Sequence, residues 1–298
     1  MDENTSRKTG TGMGGTAAGT TGGAGAPLTV LVTAATGKTG RRVAGLLDGR
    51  GVQVRRGSRS GGTRFDWEDP ATWGPALRGA DAAYVAYYPD LAAPGAVEAL
   101  REFGRLAAWE GVRRLVLLSG RAEPEAARAE QALRDAVAPG GELAVVRAAF
   151  FTQNFTEGLM AEGVAAGRIE FPAGGMPEPF VDAGDVAEVA VAALLEDAHA
   201  GRVHEVTGPR LLTFAQAAAE LAAAAGREVA YVPVSAEEYA EGMRAYGLTA
   251  EEADWLAGLF AGLLDGRNAS VADGVRRVLG REPRDFAEGV KEAFTPVA

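Results

Sequence analysis

The chain predicts an α/β fold, a doubly wound parallel sheet followed by a smaller C-terminal α+β lobe, and three observations point to it. Short β-branched runs alternate with helical stretches, the opening strand passes through a glycine turn directly into a helix, and the alternation changes character after Thr152. The opening unit, residues 28–47, reads LTVLVTAATGKTGRRVAGLL. Its LTVLV run has the unbroken apolar character of a central parallel strand, and Val43, Leu46 and Leu47 fall on one helical stripe. Between them Ala34, Gly37 and Gly40 keep a G-x-x-G-x-x-G spacing with Ala in the first place. Gly37 would let backbone approach a phosphate with no Cβ in the way, and Gly40 would let the helix pack closely on the strand. The N–H groups at the helix start, aided by the helix dipole, suit an anion, so the turn reads as a dinucleotide pyrophosphate site. Gly37-Lys38-Thr39 imitates the end of an NTPase phosphate loop, but that motif needs a glycine where Val32 stands inside the strand.

The second strand, expected over 52–56, should end beside the adenosine ribose. An NAD site places an acid there. Residues 49–65 instead contain no Asp or Glu and carry Arg50, Arg55, Arg56, Arg59 and Arg64. A guanidinium and a hydroxyl together match a 2′-phosphate, and Gly57-Ser58-Arg59-Ser60 offers both at the strand end, which favours NADP(H) over NAD(H). The competing explanation is a solvated basic loop in an arginine-rich chain: of 30 basic residues only Lys8, Lys38 and Lys291 are lysines.

Composition narrows the remaining options. Residues 1–26 are mostly Gly, Thr and Ala, too poor in apolar surface to offset the entropy of ordering, and are expected to form a disordered tail. That segment has no apolar core of a secretory signal, and no later stretch reaches the roughly 18 apolar residues of a membrane span, so the expected location is the cytoplasm. With no Cys, and with His199 and His204 the only histidines, neither a thiol nucleophile nor a metal site is expected. A net charge of −10 argues against nucleic acid as a partner. Chemistry must therefore come from a bound cofactor acting on a small-molecule substrate, in a monomer or homodimer.

Further elements follow in order. A short strand around Arg64-Phe65 precedes Asp66-Trp67-Glu68-Asp69-Pro70, where the proline opens a short helix through Leu77. Strands are expected over 82–87, 114–119 and 143–147, with helices over 94–110 and 123–137 between them. The dinucleotide-binding domain then spans 27–150, and ligand should sit at the carboxyl ends of its strands. From 151 to 298 a substrate lobe is expected, interleaved with the end of the sheet. It carries helices over 154–166, from Asp182 and over 214–225, strands over 168–171, 203–206 and 229–232, and a helical tail. Asp182 and Asp185 are expected to serve a helix start, and Glu130 with Arg134 at i+4 to mark a solvated face. Ser119 follows a strand and is a candidate cofactor contact, but no neighbouring base makes it a nucleophile. His199 and His204 are assigned no role.

The segments TAATGKTGRR, GSRS, FDWEDPATW, GVRRLVLLSG, VVRAAFFTQNF, PFVDAGDVAEVA and EVTGPRLLTFAQ, in this order, resemble the NmrA-like group of atypical short-chain dehydrogenase/reductases, nearest the ergot-alkaloid-type iminium reductases. The resemblance implies a Rossmann sheet, NADP(H) and a small-molecule pocket between lobes. By position it implies that Thr33, Ala34, Thr36, Gly37, Lys38, Thr39 and Gly40 hold the pyrophosphate side, with Ser58 and Arg59 at the 2′-phosphate. Asp66 and Trp67 would flank adenine, and Tyr87, Tyr88, Pro89 and Ser119 would line the ribose and nicotinamide side. Phe150, Phe151 and Asn154 would face nicotinamide and substrate. Ala126 stands where quinone- and dye-reducing relatives often carry His.

The Tyr/Lys pair of ordinary short-chain dehydrogenases is missing, since no Tyr is followed four residues later by Lys. Ketone reduction needs such a donor to neutralise an alkoxide, whereas an iminium becomes a neutral amine on accepting hydride. The leading expectation is an NADPH-dependent reductase of an iminium, quinone or azo compound, with no catalytic side chain assigned. Phe150, Phe151 and Phe155, with Trp67, Tyr87 and Tyr88, would suit a flat conjugated substrate, although helix-spaced phenylalanines equally suit core packing. The alternative is a non-catalytic protein that senses NADP(H). An epimerase or dehydratase is disfavoured by the missing Tyr/Lys pair.

Overall fold

The alternation of strand and helix holds through the first half of the computed structural model, which describes residues 27–294. The tail expected over 1–26 lies outside the described residues. In order come β1 (Thr29–Val32), α1 (Lys38–Asp48), β2 (Gln53–Ser58), β3 (Thr63–Arg64), α2 (Trp73–Leu77), β4 (Ala82–Val85) and α3 (Ala96–Trp109). They are followed by β5 (Arg114–Gly120), α4 (Pro124–Ala136) and β6 (Glu142–Ala148). The second half carries α5 (Leu159–Ala166), β7 (Arg168–Phe171), β8 (Pro177–Glu178), α6 (Ala183–Leu195), β9 (Val203–Val206), β10 (Leu212–Thr213), α7 (Phe214–Ala225) and β11 (Ala230–Pro233). Four helices close the described chain: α8 (Ala236–Ala245), α9 (Ala250–Leu263), α10 (Gly274–Leu279) and α11 (Phe286–Phe294).

Seven strands form one parallel sheet in the order β3-β2-β1-β4-β5-β6-β9. Strands β1 and β4 are buried at every residue, as strands covered on both faces must be. Helices α1 and α6 cover one face around Val43, Leu47, Val186 and Val189, while α2, α3 and α4 cover the other around Trp73, Leu100, Phe103 and Leu133. The chain leaves β1 towards β2 on one side and returns to β4 on the other, and this reversal opens a crevice at the strands' carboxyl ends.

The second half is interleaved with the first. Strand β9 completes the main sheet beside β6, and α6 packs on α1, whereas β8–β10 and β7–β11 form two small sheets of their own. Around the latter lies a third core, in which Phe214 stacks on Phe171 with ring centres 5.0 Å apart. Phe155 is wholly buried in this core, between Phe180 and Phe286, so for this residue packing is the role.

Four expectations need correction. The helix expected over 154–166 is a 3-10 turn at Thr152–Asn154, a break, and then α5, because Gly158 adopts a φ of 94° that interrupts helical geometry. The strand expected to reach Tyr87 stops at Val85, because the N–H of Ala86 donates to Thr33 Oγ1 at 2.8 Å and its carbonyl accepts from Trp67 Nε1 at 2.9 Å. Glu130 is not on a solvated face: it is 4% exposed and accepts from Ser119 Oγ at 2.6 Å and from Arg147 Nε and Nη2 at 2.9 and 2.7 Å. Ser119 and Arg147 are register partners on β5 and β6, so the strand pairing brings all three together. Asp182 caps α6 by accepting from Gly184 N at 2.7 Å, but Asp185 does more than support a helix start. Wholly buried, it accepts from Arg284 N and Nη1 and from Arg281 Nη2 at 2.7, 2.6 and 2.8 Å, tying the C-terminal segment to the sheet layer. His199 and His204 are buried and meet edge to face at 5.0 Å, a packing role.

Truncating Phe214 to Ala should empty the centre of the third core and cost about 3–5 kcal/mol. Urea unfolding of the variant checks this.

Candidate active site

The glycine turn after β1 is built by one close approach. A Cβ placed on Gly40 would lie 2.2 Å from the carbonyl oxygen of Ala34 and 2.8 Å from its carbonyl carbon, so only glycine lets α1 begin this near the strand. Ala34 itself has a φ of 48°, the left-handed conformation that the glycine in the usual motif adopts without cost, and its carbonyl accepts from Gly37 N at 2.8 Å. Gly37 caps α1 without a side-chain hydrogen bond, and the first turn holds no acid. The N–H groups of Lys38, Thr39 and Gly40 therefore form an anion cradle of bare backbone. Thr36 is exposed at the rim. Thr39 is buried beneath, and the Thr33 hydroxyl is spent on joining β1 to β4 through Ala86 N and Ala86 O.

The arginines of β2 and of the segment after it separate into distinct roles. Arg55 caps the end of α2 through the carbonyls of Ala76 and Arg78 at 3.2 and 2.5 Å, Arg56 pairs with Asp48, and Arg64 reaches Asp69 at 3.3 Å. Arg59 makes no ion pair with any described residue. It is exposed at the tip of β2, its guanidinium 5.4 Å from the centre of the Tyr88 ring. Ser58 is buried, its hydroxyl accepting from Gly61 N at 2.9 Å and shaping the loop that presents Arg59. Asp66 lies beside this tip, its Oδ1 accepting from Glu68 N. Trp67 is packed inside, in an aromatic cluster with Phe65, Trp73, Phe103 and Tyr87.

Beyond the cradle a cavity of about 350 Å³ opens along the ends of β4, β5 and β6. Tyr87, Pro89, Ser119 and Gly120 line it together with Phe150, Phe151, Asn154 and Glu178. Lys38, from the first turn of α1, stands in its wall and joins cavity to cradle. Tyr88 is 58% exposed and points away to Arg59, its peptide to Pro89 being cis. Ser119 contributes to the wall while its hydroxyl donates to Glu130. Ala126 lies on the buried face of α4 in the core and is not among the residues that line the cavity.

Three parts of the cavity lay beyond the sequence reading. Helix α9 roofs it with Trp255, Leu256, Leu259, Phe260 and Leu263. Its signature was present in the sequence: a Thr249/Glu252 capping box ahead of apolar residues on one helical stripe. Arg121 is buried at one end, held by Ser270 O at 3.0 Å and Glu205 at 3.2 Å. The third part is a group of acids. Burial pushes the Glu178 carboxyl up to about 7, against the Phe150 N–H and Arg121. Burial, then the charges of Asp90 and Glu130, push Glu123 up to about 8, and burial also raises Asp90. On the same wall burial lowers the Lys38 ammonium, Glu157 opposing and Arg41 and Arg42 adding to the effect.

A parallel sheet with a bare helix start at its switch point, a basic strand tip and an aromatic cavity defines a dinucleotide-dependent oxidoreductase. No protein-family model matches the chain. It is 35% identical over 269 residues to the uncharacterized oxidoreductase YesF of Bacillus subtilis, covering 87% of this chain and 93% of the relative. It is 31% identical over 255 residues to an NAD(P)H azoreductase of Xenophilus azovorans, covering 82% and 84%. Two solved structures share the fold: an NADPH-dependent quinone oxidoreductase from Escherichia coli, at a TM-score of 0.70 and 22% identity over 90% of this chain and 100% of that one, and the Citrobacter sp. triphenylmethane reductase, at 0.69 and 20% over 90% and 99%. The chain belongs to the NmrA-like family of atypical short-chain dehydrogenase/reductases and is an NAD(P)H-dependent oxidoreductase.

Two substitutions test the turn. Gly40→Ala should cost about 3 kcal/mol, because backbone on both sides must separate. Ala34→Gly should relieve the left-handed alanine and raise stability by up to about 1 kcal/mol, part of the gain being offset by the freer unfolded chain. Urea unfolding reads both.

Proposed function

We propose that the protein is an NADPH-dependent reductase that passes hydride to a small conjugated electrophile such as an iminium, quinone or azo compound, without a Tyr/Lys proton donor. The observation that carries this reading is the position of Lys38, which belongs at once to the bare N–H cradle and to the wall of the aromatic cavity. A dinucleotide lying from the Arg59 tip across the cradle thus brings its reactive ring to the cavity.

The residues fit that cofactor. Gly40 keeps the helix start against the turn, and the backbone N–H groups there bind the pyrophosphate. Arg59, having no carboxylate among the described residues, binds the 2′-phosphate with Ser58 shaping its loop, and Asp66 lies on the adenine side. Bound NADPH supplies two electrons as hydride. Phe150 and Phe151 give the cavity flat apolar walls, α9 excludes water, and Asn154 offers an amide to orient the substrate. Positioning of this kind supplies much of the rate when the acceptor is itself cationic and needs no proton.

Replacing Arg59 by Ala should weaken NADPH binding on the order of 10–100-fold while changing NADH binding by no more than about threefold. Fluorescence titration of the nicotinamide reads both constants, and equal losses would remove Arg59 from the site. Absorbance of NADPH in the presence of a quinone, an azo dye and a cyclic iminium tests turnover, since a pure sensor would bind the cofactor and consume none.

A further inference from the structure

The cavity is lined by a buried acid, Glu178, and the inference drawn from it rests on the reductase reading above. Hydride addition to a cationic acceptor ends in a neutral product, but addition to a neutral azo or quinone group leaves an anion, on nitrogen or oxygen, that has to be protonated. Where ordinary relatives of the fold place a Tyr/Lys pair for that task, this chain has none. We propose that Glu178 is the proton donor that completes reduction of neutral acceptors in this cavity.

Its position follows from the chain path. The Phe150–Thr152 and Phe180–Val181 backbones run side by side, with Val181 N donating to Phe150 O and Thr152 N to Val181 O, both at 2.9 Å. That pairing sets β8 under the end of β6 and points Glu178 into the wall formed by Phe150 and Asn154. The side chain is 3% exposed, and Oε1 accepts from Phe150 N at 3.3 Å. Glu178 lines the cavity, and the Phe150 N–H is the hydrogen-bond donor that its carboxyl meets among the described residues. The charged neighbours favour transfer in the required sense. Arg121 is the cation whose field reaches Glu178, and with the Phe150 N–H it stabilises the carboxylate left after the proton departs. Strand β10 presents Leu212 opposite Glu178, and α9 presents only apolar side chains to the cavity, so neither adds a competing charge.

Glu123 is a weaker candidate on the same wall. Its carboxyl is wedged over Gly120, where a Cβ would lie 2.0 Å from Oε1, and it faces the charges of Asp90 and Glu130. A proton lost there would leave a carboxylate among carboxylates. Lys38, Tyr87 and Asp90 are the other titratable groups lining the cavity, and none of them is among the groups that shift Glu178.

The balance is complete. The C–H bond of the dihydronicotinamide breaks, its hydride forms the first N–H bond of an azo group or the first O–H bond of a quinone as the acceptor's π bond takes up the electron pair, and the cofactor is oxidised by two electrons. The O–H bond of Glu178 breaks, its proton joins the resulting anion to give the hydrazine or hydroquinone, and water reprotonates the carboxylate. Because burial holds this carboxyl near pH 7, it is loaded below that pH and empty above it. The rate with a neutral acceptor should therefore fall as pH rises through about 7.

The test compares wild type with Glu178→Gln and Glu123→Gln, using a neutral azo dye and a cationic triphenylmethane dye under single-turnover conditions. Glutamine keeps an acceptor for Phe150 N–H. Glu178→Gln should lower the azo rate about 10²-fold or more and flatten its fall above pH 7, while the cationic dye loses far less. An infrared carboxylic-acid band that vanishes on titration near pH 7, and is missing from Glu178→Gln, should identify the group without turnover. Equal loss with both dyes, an azo rate or pH profile untouched by Glu178→Gln, or the azo defect appearing in Glu123→Gln instead would overturn the proposal. If wild type reduces the cationic dye and no neutral acceptor, the donor assignment falls and the reductase reading stands; if it reduces neither, both fall.

Discussion

The structure depends on one contact distance, the approach of Gly40 to the carbonyl of Ala34. Because no side chain intervenes, α1 starts directly at the end of β1, and its first N–H groups open at the point where the sheet reverses direction. Everything assigned to cofactor binding is measured from that start. Lys38 is one residue past the cap, Arg59 stands at the tip of the neighbouring strand, and the cavity follows the next three strand ends. The chain even tolerates an alanine in left-handed conformation to keep the turn, a local cost of about 1–2 kcal/mol that surrounding packing must sustain.

Charge placement divides the molecule into structural and reactive parts. Asp185 with Arg281 and Arg284, and Glu130 with Arg147 and Ser119, are acids whose oxygens are filled by donors, and they fasten layers together. Burial raises Asp185 in spite of those donors, and it also raises Glu178, Glu123 and Asp90 along the cavity, where fewer donors oppose it. Burial thus raises the carboxyl groups along the cavity, Glu178 to about 7 and Glu123 to about 8.

Local patterns made the sheet legible. The strands β1, β5 and β6, the helix α7 and the cap at Asp182 follow from apolar runs, alternation and capping residues that act within a few positions. Tertiary geometry decided the rest. Glu130 looked solvated because Arg134 is its helical neighbour, while its real partner, Arg147, reaches it only through the β5–β6 register. Trp67 and Phe155 were drawn towards the ligand by their aromaticity and proved to be interior. Glu178 had no local signal at all, since its place on the cavity arises from the pairing of Phe150–Thr152 with Phe180–Val181. The roof helix could have been read, because its capping box and apolar stripe are both written in 249–263.

The central claim is that a bare helix start and a basic strand tip select a dinucleotide bearing an extra phosphate. Titrating the unmodified protein with NADPH and with NADH, followed by nicotinamide fluorescence at one fixed salt concentration, tests it most directly. The account predicts saturable NADPH binding at least about tenfold tighter than NADH, as one charge-assisted contact requires. Failure to bind NADPH, or equal affinity for the two, would contradict it.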